Sequence, residues 1–183
     1  MKKVIVLGGY GNFGKRIVEN LTSIEGITIF IAGRNLSKSS ALVKSLTATS
    51  TSQLEPLVID IFADDFKEQL ATLSLYLVIH TSGPFQGQDY RVPKACIECG
   101  AHYIDLADAR EFVSGINILD EKAKQAGVIV LSGASSVPCL TSALIEHYKD
   151  DFAVLESLDY GITTAQRTAR GVATTAAILS YTG

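Results

Sequence analysis

The chain has 183 residues, enough for one domain of about 150 residues and a remainder. Its 16 basic and 19 acidic residues leave a net charge of −3, without the cationic excess of a phosphate-neutralising nucleic-acid binder, so no nucleic-acid partner is expected. An apolar content of 47% excludes disorder, three cysteines make no disulfide framework, and no stretch approaches the roughly 20 apolar residues of a membrane span.

The chain start also lacks the apolar region and cleavage site of a secretory signal, so a soluble cytoplasmic protein without membrane contact is expected. Residues 3–7 (KVIVL) form a β-branched run suited to a buried strand. Glycines follow, then a helix over 13–23 with Ile17, Val18 and Leu21 at helical spacing. Residues 27–32 (ITIFIA) read as a second buried strand and 37–47 as a helix. Six Ser or Thr among residues 45–53 mark a loop, and 54–61 is a third strand. A helix over 64–73 has the acidic first turn that the macrodipole prefers. Then come a strand over 76–81, a helix over 88–99 closed by Gly100, a strand over 102–106, a helix over 111–125 closed by Gly127, and a strand over 128–132. Residues 138–148 read as a helix, 155–163 as a further strand, and 170–181 as a helix apolar around much of its circumference, which needs partners on several sides.

Strands alternating with helices imply right-handed crossovers and a parallel sheet covered on both faces. Gly9, Gly11 and Gly14 satisfy G-x-G-x-x-G directly after the first strand and at the opening of a helix. A register through Gly8, Gly11 and Gly14 is also readable. The expected fold is therefore a Rossmann-type doubly wound sheet of six or seven strands with helices on both faces. The turn of Gly9, Tyr10, Gly11, Asn12, Phe13 and Gly14 is read as the contact to a dinucleotide diphosphate, which would rest on helix-opening amides.

An NAD site places Asp or Glu at the end of the second strand. This chain has Gly33, Arg34 and Asn35, followed by Ser37 and Lys38. A planar guanidinium suits a 2′-phosphate, so NADP is the expected cofactor. Asp60, read as the end of the third strand, is placed near the adenine, with a solvent-facing carboxylate as the competing reading. The loop carrying Ser82, Gly83 and Pro84 is expected to face the nicotinamide ribose.

The loops after the fourth, fifth and sixth strands should line one pocket, with His80, Asp105 and Asp108 as its titratable groups. A core histidine satisfied by backbone competes with a catalytic His80, helix capping competes with a site role for the two aspartates, and His102 reads as structural. Tyr90 and Lys94 form Y-x-x-x-K, but one unit earlier than short-chain dehydrogenases place it and with Pro93 inside, so the match reads as coincidence. Cys96 and Cys99 form C-x-x-C at a helix C-terminus, where the dipole disfavours a thiolate, and read as buried small hydrophobes; no metal site is expected.

Five segments together, VIVLGGYGNFG, AGRN, TSGPFQGQDYRVPKACIECGAHYIDLAD, SGASSVP and the Arg-rich GITTAQRTARG, resemble the saccharopine dehydrogenase-like family in its N-terminal NAD(P)-binding domain. The resemblance implies a two-part reductase passing hydride between nicotinamide and a small-molecule substrate. It matches Gly9, Gly11, Gly14 and Arg34 to cofactor contacts, matches Ser82, Gly83 and Pro84 to the nicotinamide side, and transfers no catalytic residue. It also implies a second, substrate domain beginning within residues 161–171. The chain is therefore expected to hold a dinucleotide domain over 1–150 and the truncated start of a second domain over 151–183, and to be inactive alone. The alternative is a non-catalytic NADP-binding redox sensor that acts through a protein partner, with a homodimer through residues 153–183. A packing domain with a vacant crevice is the third reading.

Overall fold

The computed structural model describes residues 1–161 and, beyond them, Gly171, Thr175 and Leu179. Six parallel strands build one sheet: β1 (Lys2–Leu7), β2 (Ile27–Gly33), β3 (Gln53–Val58), β4 (Leu77–His80), β5 (His102–Asp105) and β6 (Val130–Leu131). Their order is β3-β2-β1-β4-β5-β6, so the chain winds outward from β1 in one direction and then in the other. The connecting helices are α1 (Asn12–Leu21), α2 (Leu36–Leu46), α3 (Phe66–Leu73), α4 (Arg91–Glu98), α5 (Arg110–Gly115) and α6 (Asp120–Ala126), with α7 (Thr141–Tyr148) after β6.

Strand alternation explains why both sheet faces are covered. In β1, Val4 and Val6 point to one face and Ile5 and Leu7 to the other, and all four are buried. Val4 and Val6 join Ile29, Ile31, Val18 and Leu42 in a core beneath α1 and α2. Ile5 and Leu7 join Phe30, Val78, Tyr103, Phe66 and Leu70 beneath α3 and α4. Near-continuous β-branched runs are what a strand buried on both faces requires.

Three expectations from the sequence need correction. The helix over 111–125 is broken: α5 gives way to a tighter turn at Ile116–Leu119 before α6 begins. The two halves serve different cores, since Phe112 packs with Phe85 and Tyr90, whereas Leu119 and Ala123 pack with Ile97 and Val128. The sixth strand shrinks to Val130–Leu131 at the sheet edge, where among the described residues β5 alone holds it. No strand forms over 155–161, where Leu155, Leu158 and Tyr160 are exposed and no ladder partner is offered among the described residues. The last two residues of that expected strand, and most of the expected helix over 170–181, lie outside the described residues. Among the described residues, no helix is long and apolar enough to cross a membrane.

Candidate cofactor site

The strand order reverses between β1 and β4, and ligands of open α/β sheets bind outside the strand ends at such a point. Two loops meet there. Thr81 donates from its backbone N and its Oγ1 to the Leu7 carbonyl, at 2.9 and 2.8 Å. Gln88 Nε2 holds the second loop by donating to the carbonyls of Ser82 and Pro84 at 2.9 and 2.7 Å.

Gly8, at φ +78, makes the turn out of β1, so the left-handed position falls one residue before the glycine that opens the motif. A Cβ at Gly14 would lie 2.2 Å from the Gly8 carbonyl oxygen. Only glycine lets α1 start this close to β1. Gly11 is the N-cap of the helix and has no side chain to bond its opening amides. Those amides have no intrahelical acceptor and carry the positive end of the helix dipole. A helix start opened by glycine suits a diphosphate, so the residues present fit the group that the sequence suggests.

A cavity of ≈ 490 Å³ opens beside this helix start. It brings together Tyr10, Gly11, Asn12, Phe13, Arg34, Asp60, Ser82, Gly83 and Pro84 of the expected set, and adds Phe62 and Thr81. Gly9 instead packs underneath, where a Cβ would meet the Val6 carbonyl oxygen at 2.9 Å and the Ile31 side chain at 3.0 Å. Asn35 is occupied with α2, its Oδ1 accepting from the Lys38 amide at 3.0 Å. Asp60 stands two residues beyond the end of β3, and its Oδ1 accepts from the Phe62 amide at 3.1 Å. Phe62 was not singled out from the sequence, because an isolated aromatic after a strand carries no pattern of its own.

A second cavity of ≈ 370 Å³ continues past Thr81, Gly83 and Pro84. Phe13, Ile17, Phe85 and Leu106 supply its apolar wall, while Arg16, Asp108, Ser135 and Ser136 supply polar groups. Asp108 lines it and accepts from Gln86 Nε2 at 3.2 Å. His80 and Asp105 do not line it; both are wholly buried behind it. His80 Nδ1 stands 3.0 Å from the Tyr103 oxygen, and the Ser82 backbone also bonds the ring. Burial drives the imidazole pKa down to about 3, so His80 is neutral. Asp105 and Asp108 do not cap α5, whose N-cap is Ala109 without a side-chain bond. Tyr90 donates to the Phe112 carbonyl at 2.9 Å and packs on that ring, while Lys94 is exposed. Cys96 is buried, and burial pushes its thiol pKa up. His102 Nδ1 accepts from the Ile129 amide at 3.0 Å, a structural bond.

Residues 4–131 match the family model of the saccharopine dehydrogenase NADP binding domain. This chain belongs to that family. NADP is therefore its cofactor, and the domain is that of an oxidoreductase family. Over 144 residues the chain is 28% identical to a lipid droplet localized protein of Caenorhabditis elegans, covering 74% of this chain and 34% of that one. Over 171 residues it is 25% identical to a carboxyaminopropylagmatine dehydrogenase of Synechocystis, covering 87% of this chain and 42% of that one. The saccharopine dehydrogenase (L-Glu forming) of Saccharomyces cerevisiae superposes with a TM-score of 0.63 at 18% identity, covering 82% of this chain and 32% of that one. That likeness is one of fold, and the chain spans well under half the length of these relatives.

Proposed function

We propose that this chain is the cofactor-holding portion of an oxidoreductase that passes hydride between NADP(H) and a small-molecule substrate. Bound NADP supplies the hydride donor or acceptor. The diphosphate rests on the opening amides of α1, and Arg34 grips the 2′-phosphate. Asn35 supports Arg34 by starting α2 directly beside it. Asp60 and Phe62 border the adenine, and Ser82, Gly83 and Pro84 turn the nicotinamide toward the second cavity. There Phe13, Phe85 and Leu106 exclude water around the substrate. The observation that carries this reading is the glycine-capped start of α1 at the strand reversal, with Arg34 in the same cavity.

Binding with little turnover belongs to the same proposal. Arg16 and Asp108 are the charged groups lining the second cavity among the described residues, and His80 is sealed away from it. The spans of 34% and 42% of the curated relatives support a substrate site completed by residues outside this chain. Calorimetric titration with NADPH and NADH tests the reading. NADPH binds more tightly, and Arg34→Asp removes the preference by about tenfold or more, since charge-assisted hydrogen bonds contribute about 1.5–3 kcal/mol. Equal binding of both nucleotides by the unaltered chain would sink it.

A second reading is a non-catalytic NADP sensor that works through a second copy of the chain. It is favoured by the exposed apolar side chains Phe152, Val154, Leu155, Leu158 and Tyr160.

A further inference from the structure

Tyr10 belongs to the glycine turn, yet its side chain leaves that turn and crosses the end of β2. The hydroxyl end of its ring packs against Gly33: a Cβ there would stand 2.5 Å from the ring carbon Cε1 and 2.7 Å from the hydroxyl oxygen. Any other residue at position 33 would push the ring away. On the far side of Arg34, the Asn35 amide donates to the Tyr10 hydroxyl at 3.0 Å. Asn35 Oδ1 in turn accepts from the Lys38 amide, and Lys38 Nζ stands 6.0 Å from the centroid of the Tyr10 ring. One side chain thus touches the residues on both sides of Arg34 and lies near a second cation.

Arg34 itself is exposed. A free arginine loses about 2 kcal/mol of rotamer freedom when it is immobilised on a ligand. Ordering the turn that carries it adds a separate backbone cost, and a clamp over Gly33 and Asn35 meets that part before the ligand arrives. The gain falls on ligands that carry a 2′-phosphate, because only they engage the guanidinium.

We propose that Tyr10 is a specificity-determining positioning residue. It joins the diphosphate turn to the β2–α2 turn and sets Arg34 and Lys38 for the 2′-phosphate, so that one loop governs both phosphate sites. This rests on the NADP geometry proposed above, and the Arg34→Asp variant keeps the two claims apart.

The test is Tyr10→Phe in the 183-residue chain, which keeps the ring and removes the hydroxyl. Calorimetry gives Kd for NADPH and NADH, and for adenosine 2′,5′-bisphosphate and 5′-AMP as fragments of the adenosine end. Losing one hydrogen bond predicts a rise in Kd of about three- to tenfold for the two ligands with a 2′-phosphate and less than about twofold for the others. Urea unfolding of the variant confirms that it folds. If Arg34→Asp erases discrimination while Tyr10→Phe leaves the ratio unchanged, the positioning role is overturned and the cofactor geometry stands. Equal weakening of all four ligands also overturns it, since that is what a purely structural tyrosine would do. If Arg34→Asp itself leaves discrimination untouched, both claims fall.

Discussion

His80 sits at the end of β4 against the edge of the Phe85 ring, with centroids 4.9 Å apart, and its Nδ1 faces the Tyr103 hydroxyl. Its Nε2 and the Asp105 Oδ2 are both buried. Unfolded, a histidine takes a proton near pH 6.5, whereas this one resists protonation down to about 3. Between those values the unfolded chain binds more protons, so stability falls as pH drops through that window. The slope from this one group approaches 1.4 kcal/mol per pH unit in mid-window. Urea unfolding at pH 7, 6 and 5 should show the unaltered chain losing about 1 kcal/mol more than His80→Gln between pH 6 and 5; parallel losses would refute the assignment. At this scale the place of Arg34 beside the glycine turn was legible, because it follows directly from the end of a strand. The sealing of His80 was not, because it depends on Phe85 folding back from a loop five residues on.

Between elements, Asp105 is the main fastening of the second cavity. Its Oδ1 accepts from the Ala107 amide, the Ser132 hydroxyl and the Gly133 amide, each at 2.9 Å. One buried oxygen thus ties the loop after β5 to the loop after β6, which carry Leu106, Asp108, Ser135 and Ser136 into the cavity wall. This compensates for a β6 of two residues, too short to hold its own loop. Asp105→Ala leaves three donors without their acceptor and should cost about 3 kcal/mol or more in urea unfolding. Asp105→Asn keeps one acceptor oxygen and should cost about half as much or less. Equal losses would show that the shared acceptor is not what matters. The aspartate itself was readable as a site or cap candidate. Its three donors were not, because two of them arrive from 27 and 28 residues further along the chain.

On the scale of the molecule, α7 and the segment after it present Leu144, Tyr148, Phe152, Leu155 and Leu158 to solvent. Exposed apolar patches of more than a few hundred Å² mark interaction surfaces on soluble proteins. If a second copy covers this face, light scattering gives twice the 19.6 kDa mass of the chain, and Leu155→Glu with Leu158→Glu returns it to the monomer. A monomeric unaltered chain would end the dimer reading and leave the cofactor site untouched. The winding of the sheet, the glycine turn after β1 and NADP as the cofactor were all readable in the linear chain. Each rests on local periodicity or on a short motif whose partners lie within a few residues. The division of the helix after β5, the lost strand over 155–161, the clamp of Tyr10 on both neighbours of Arg34 and the burial of His80 emerged only on folding. Those features arise where side chains distant in sequence compete for one space, and composition and spacing carry no record of which neighbour wins.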